Sequence, residues 1–167
     1  GVKDKEPFIV LDCGAITESV FGNELFGHEK GSFTSAIGKQ IGHIERANNG
    51  MLVLDEISNL SIESQGKLLR AIGNGQFYRI GGNQELTVKI RVISASNKDI
   101  GHLKQDNTFR RDLYHRLSEG RIDVPSMRER IDDIVPLARH FIEEFNWTLP
   151  FDNWKLIDDD CIEPLSE

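Results

Sequence analysis

The sequence predicts an α/β protein built on a central parallel sheet. Three observations carry that prediction. Short apolar runs at 8–11 and 51–54 have the length and density of strands buried within a parallel sheet, and residues 90–95 supply a third core strand. Stretches with helical spacing of apolar residues alternate with these runs, which implies helices covering both sheet faces. The first two runs also end in acid, at Asp12 and at Asp55-Glu56. The carboxyl edge of such a sheet is where α/β proteins bind ligands.

Each element has its own local reason. Residues 7–12 form the first strand, entered from Pro7. Residues 18–26 place apolar side chains at 20, 21, 25 and 26, a helical spacing that feeds a glycine-bracketed loop. Asn48-Asn49-Gly50 is a turn signal before the second strand, Met51 to Leu54. Ser61 caps a helix whose apolar positions 62, 68, 69 and 72 share a face, with Gly73 near its end. Residues 77–80 and 86–88 flank Gly81-Gly82 and read as a small hairpin. Residues 90–95 make the third core strand. A helix over about 109–117 and a strand at 121–124 follow. After Pro125, residues 131–145 form another amphipathic helix. There is no internal repeat.

Composition narrows the class. At 167 residues and 38% hydrophobic content, the chain is about one domain with a sizeable core. No apolar run approaches the roughly 20 residues of a membrane span, and no charged-then-apolar leader precedes residue 8. Cys13 and Cys161 are the only cysteines and lack CxxC spacing, so a disulfide scaffold and a zinc site are not indicated and a reducing cytoplasm fits. The five histidines show no metal spacing. The net charge is −7, yet residues 1–139 balance acid against base. The excess lies in 140–167, where Lys155 is the only base, which argues against DNA contact by this stretch.

Several motifs carry chemistry. Glu24 to Ala36 reads ELFGHEKGSFTSA, with Gly27 and Gly31 permitting backbone angles other residues avoid. Phe33 stands among small residues there. A Phe left in water forgoes roughly 1.5–3 kcal/mol of burial, so it either folds under the loop or meets a partner. Asp55-Glu56 is a pair of carboxylates at a strand end, read as a ligand site or as a solvated acidic turn. Ser96-Asn97 follows the third strand, where Asn is also an ordinary turn residue. Residues 109–117, FRRDLYHRL, concentrate arginine around Asp112, which suits either phosphate recognition or a helix laced with Arg–Asp pairs, the latter more for Arg111 than for Arg116. Residues 124–134 read VPSMRERIDDI.

In this order the motifs resemble those of the sigma-54-dependent transcription activators, the bacterial enhancer-binding members of the AAA+ ATPases. The resemblance covers roughly residues 7–145. It implies a three-layer P-loop NTPase αβ subdomain with a parallel central sheet. The loop then resembles the tip that touches the sigma factor, through Gly31, Phe33 and Thr34, although Ser32 and Ser35 stand where the family has Ala and Gly. Asp55 and Glu56 resemble the Walker B pair, with Asp55 holding Mg2+ and Glu56 polarising the attacking water. Asn97 takes the sensor I place, where an amide feels the γ-phosphate or orients water. Arg110 and Arg116 match the two arginines that reach a neighbouring subunit's ATP, which implies a ring, commonly a hexamer. Residues 124–134 resemble the segment leading toward the lid, with Ser126 where Pro is usual.

Position 12 departs from the family pattern. The family has Asn before the strand's Cys, hydrogen-bonding the catalytic Glu as a switch at the nucleotide site; here it is Asp12. Two carboxylates at hydrogen-bond range resist both being ionised, so either they share a proton or Asp12 turns elsewhere. No Gly-x-x-x-x-Gly-Lys-Ser/Thr occurs. Nor does the family's Trp-Pro-Gly-Asn-x-Arg-Glu-Leu segment. The resemblance thus predicts a partial AAA+ domain over 1–145, lacking the Walker A segment and most of the helical lid. Residues 146–167 are expected to form an acidic tail leading toward that lid. This stretch alone is not expected to bind ATP tightly or to hydrolyse it. In a longer cytoplasmic activator it would couple ATP hydrolysis to remodelling of the sigma-54 RNA polymerase closed complex, with DNA contacted only through another domain. The alternative is a divergent regulatory module with no ATPase activity or sigma contact of its own.

Overall fold

In a computed structural model, the described residues are 6–14, 18–33, 36–100, 105, 107–148, 150 and 155. The chain divides into two units, Gly1–Arg121 and Ile122–Glu167.

The first unit is organised by a parallel sheet of three strands in the order β1 (Phe8–Asp12), β4 (Met51–Asp55), β7 (Arg91–Ser94). The register sets Leu11 beside Leu54 and Asp12 beside Asp55, so both acids leave the sheet at one edge. Leu54 pairs with Ser94, which brings the end of β7 to the same edge. One face carries Leu11, Leu52 and Leu54, all buried, as the period of two requires. They join one core with Phe21, Leu25 and Phe26 of α1 (Glu18–Phe26), Ile44 of α2 (His43–Arg46) and Leu68 of α3 (Ile62–Asn74). Leu113 of α4 (Arg111–Leu117) and the preceding Phe109 complete it. Helices α1 to α4 thus cover that face, whereas Phe8, Val10 and Ile93 on the opposite face are exposed.

Local signals explain the element ends. Ser61 accepts the Ser64 N–H at the start of α3, and Gly75 closes the helix at φ 69°. Of the expected apolar positions Leu68 is buried and Leu69 and Ile72 pack partly buried against the core, but Ile62 is exposed; the buried face runs instead through Ser64, Gln65, Leu68 and Ala71. Two short antiparallel pairs complete the unit. One joins β2 (Gly27–His28) to β3 (Gln40–Ile41), and the other joins β5 (Gln76–Tyr78) to β6 (Glu85–Thr87) around Gly81.

The predicted strand at 121–124 does not form. This segment is irregular, with Ile122 and Val124 exposed at 87% and 74%, and Pro125 follows without an N–H for a ladder. Two apolar residues at alternate positions do not make a strand unless a sheet edge takes up their backbone groups. In the second unit, the helix expected from 131 opens as a 3-10 turn at Ile131–Asp133 and becomes α5 at Ile134–Asn146. Pro136 sits in its first turn, where a missing N–H costs little. Within this unit Asn146 exchanges two hydrogen bonds with the Lys155 backbone, both at 2.7 Å. Most of the expected acidic tail lies outside the described residues. Among them, no helix is long and apolar enough to cross a membrane.

Candidate functional site

The carboxyl edge of the sheet gathers Asp12, Asp55, Glu56 and Asn97. Backbone bonds pin the chain on either side of Glu56: Cys13 N donates to Asp55 O, and Ile57 N donates to Ala95 O, both at 2.9 Å. Glu56 itself is left-handed, at φ 52°, a conformation that strains a residue with a β-carbon by roughly 1–2 kcal/mol. The strained link turns the chain out of β4 into a 3-10 turn, Ile57–Asn59, and Ile57 is fully buried beneath it. Glu56 is thereby set apart from the ladder, with its carboxylate at the edge.

Hydrogen bonds then define what each acid does. Asp55 Oδ1 accepts the Glu56 N–H at 2.9 Å, and the side chain makes no other bond among the described residues. Glu56 Oε1 accepts from Asn97 Nδ2 at 3.1 Å and Oε2 from Asn59 Nδ2 at 2.8 Å. Asp12 Oδ1 accepts the Gly14 N–H at 2.7 Å. Glu56 thus takes amide donors from Asn59 and Asn97. Cys13 lies buried beside this group. Its burial, then the charges of Asp12, Asp55 and Glu56, push the thiol up to about 12. No cluster of three or more His, Cys, Asp or Glu among the described residues is arranged to hold a metal. A magnesium ion on the open side of Asp55 would complete its shell with water and phosphate oxygens, which is how that ion is commonly held.

The arginines lie elsewhere in the network. Arg110, the N-cap of α4, forks onto Asp112 through Nε at 3.0 Å and Nη2 at 2.7 Å. Asp112 therefore pairs with Arg110. That guanidinium holds the Asp112 carboxyl below its ordinary value. Arg116 donates to Glu119 at 2.8 Å and to the Ile72 carbonyl at 3.3 Å. Neither arginine bonds to Asp55, Glu56 or Asn97, and both guanidinium groups are partly exposed. Gln65 fixes their helix. It is fully buried, donates to the carbonyls of Leu60 and Thr108, and accepts the Arg110 N–H at 2.8 Å. The signal for Gln65 was available, as a lone amide on the apolar stripe of α3.

The glycine-bracketed loop is closed at its neck and clamped at its base. Gly27, at φ +74°, crosses Gly42 so tightly that a β-carbon on either would strike the other strand's backbone. Glu29 N donates to Ile80 O, and Ile80 N to Gly27 O, lacing the loop to the β5–β6 hairpin. Arg79, whose side chain is 4% exposed, reaches Glu29 at 2.6 Å and Glu45 of α2 at 2.7 Å. Burial works against the Arg79 charge, but its bonds to Glu45 and then Glu29 still raise its pKa. Gly31 turns at φ +80°, and its N–H donates to Ala36 O across the tip. Phe33 is 39% exposed and meets the His28 ring edge-on at 5.0 Å, so it is neither fully tucked nor fully displayed. Thr34 lies outside the described residues.

Comparison with known proteins shows the family. The family model for the sigma-54 interaction domain matches residues 1–123. The Nif-specific regulatory protein of Rhizobium meliloti is 47% identical over 86% of the chain. The nitrogen fixation protein VnfA of Azotobacter vinelandii is 46% identical over 85%. The chain spans 27% of the length of each. Among solved structures, NtrX from Brucella abortus superposes with a TM-score of 0.85 at 31% identity. That match covers 96% of this chain and 36% of NtrX. NtrX in complex with ATP superposes at 0.80 and 31% identity, covering 93% of this chain and 33% of that one. The carboxylate edge, the laced loop and these matches agree: the chain belongs to the sigma-54 interaction domain family, the AAA+ module of sigma-54-dependent transcriptional activators.

Proposed function

We propose that this chain forms the catalytic and sigma-contacting core of an ATPase that drives a sigma-54-dependent activator. The observation that carries the reading is the edge where Asp55, Glu56 and Asn97 meet. Glu56 is an acceptor held by amides, suited to orient and polarise a water for attack on the γ-phosphorus of ATP. Asn97, hydrogen-bonded to that carboxylate, would report the γ-phosphate to it. Magnesium, held through Asp55, would neutralise charge on the phosphates. Arg110 and Arg116 supply partly exposed guanidinium groups to a neighbouring subunit's nucleotide in a ring, commonly hexameric in the family. Hydrolysis then moves the loop carrying Gly31, Phe33 and Thr34 against sigma-54 and remodels the closed polymerase complex. DNA is bound by another domain.

In the intact parent protein, Glu56→Gln should leave ATP binding intact and abolish turnover; unchanged turnover refutes the assignment. Phe33→Ala should keep ATPase activity yet lose retention of sigma-54 in the presence of an ATP transition-state mimic. A second reading, a divergent module without turnover, draws on Asp12, an acid where the family keeps a switch amide. It predicts ATP turnover no greater in the wild type than in Glu56→Gln.

A further inference from the structure

The resemblance leaves one role empty in this chain. Asp12 stands where an amide is expected to hold the catalytic carboxylate, and an ionised carboxylate has no hydrogen to donate. Its Oδ1 is directed to Gly14 N instead. Yet Glu56 is not left loose, because Asn59 Nδ2 donates to Oε2 at 2.8 Å. Asn59 arrives from the 3-10 turn that follows β4, where positions three apart are eclipsed and so brought face to face. Its amide cannot readily be turned the other way. Lys98 Nζ donates to Asn59 Oδ1 at 3.0 Å, and an ammonium only donates, so the carbonyl end must face Lys98. The donor end then faces Glu56. The end of β1 passes against this pair, for a β-carbon on Gly14 would collide with Glu56 Oε2 and lie 3.0 Å from Asn59 Nδ2.

We propose that Asn59, oriented by Lys98, is the positioning residue for the Glu56 carboxylate, supplying from the turn after β4 the amide that position 12 lacks. This rests on the ATPase reading above. Asn59 and Lys98 are exposed and contribute nothing to the core, so the fold does not depend on them. What depends on them is the direction of a flexible carboxylate. Misplacing a catalytic group by about an ångström can cost up to about 10²-fold.

The test is steady-state ATPase kinetics on the intact parent protein, with melting temperature measured alongside. Asn59→Ala should lower kcat about tenfold or more while the KM for ATP and the melting temperature hold. Asn59→Asp keeps the shape but sets an acceptor against the Glu56 carboxylate, so it should be worse than Ala; a merely structural role predicts the reverse. Lys98→Met should lower kcat alone and add no further loss on the Asn59→Ala background, because it acts through Asn59. An active wild type whose kcat is unmoved by Asn59→Ala overturns the inference by itself. So does a loss that appears in KM or melting temperature rather than kcat. A parent protein without ATP turnover overturns the ATPase reading, and this inference with it.

Discussion

Arg79 is the most exposed to test of the structural groups, because its surroundings give a magnitude. Its side chain is 4% exposed, and its guanidinium serves two carboxylates from two other elements, Glu29 at the loop base and Glu45 in α2. Removing one member of a buried ion pair costs about 3–5 kcal/mol, mostly by leaving the other charge unpaired. Here the glutamate side chains are 33% and 27% exposed, so they regain part of their hydration when the arginine goes. Methionine also fills much of the volume of the arginine stem. Arg79→Met should therefore destabilise the domain by about 2–3 kcal/mol, a drop of about 4–12 °C in melting temperature at this size. The same substitution on a Glu45→Gln background should cost less, since only one carboxylate is then stranded. Urea and thermal unfolding measure both. A loss below about 0.5 kcal/mol for Arg79→Met would show that the clamp behaves as a surface contact and would refute the reasoning.

Three further outcomes follow from other sites. Gln65→Met should cost about 2–3 kcal/mol in denaturant unfolding, because it strips three hydrogen bonds from a fully buried amide and leaves the Arg110 N–H unmet. Gly14→Ala should fold normally but lose ATPase activity, since the new methyl displaces the ends of two flexible side chains, Glu56 and Asn59, rather than backbone. Cys13, with its thiol pushed from 9.0 up to about 12, should resist alkylation at pH 8 in the native protein and react after unfolding, followed in a Cys161→Ser background by mass spectrometry. Its folded value lies above the unfolded one. Burial of the thiol therefore leaves stability untouched below pH 9, where it is neutral in both states, and lowers it as pH rises from 9 toward 12, where only the unfolded chain ionises.

The fold was legible where local and non-local demands coincide. The strands at 8–12 and 51–55 announce themselves as apolar runs closed by acid. The start of α3 was equally plain, since Ser61 performs its cap within the segment itself. The strand expected at 121–124 failed for the opposite reason: Ile122 and Val124 carry strand propensity, but a strand exists only where another edge accepts its hydrogen bonds. The partner of Asp112 stays open in the sequence on similar grounds. Helical spacing offered several arginines, while the structure selects Arg110, whose backbone is already fixed at the cap by Gln65.

The site shows a sharper limit of reading one position at a time. The Asp55-Glu56 pair stands out at a strand end and Asn97 and Asp12 through the family resemblance, and the structure brings all four to one edge. Read singly, Asp12 looks like damage, an acceptor where a donor belongs. A carboxylate, however, requires a donor within reach and is indifferent to which element delivers it. Glu56 is left-handed and followed by a 3-10 turn, so the residue three positions on is aimed at it, and that residue is an amide. Lys98 then removes the ambiguity of the amide's two ends. Neither Asn59 nor Lys98 belongs to a motif by type or spacing, and in sequence they stand 39 residues apart. Only the turn geometry makes them neighbours. A substitution at one position of a hydrogen-bonded site is thus evidence of lost function only after every other donor that can reach the same oxygen has been placed.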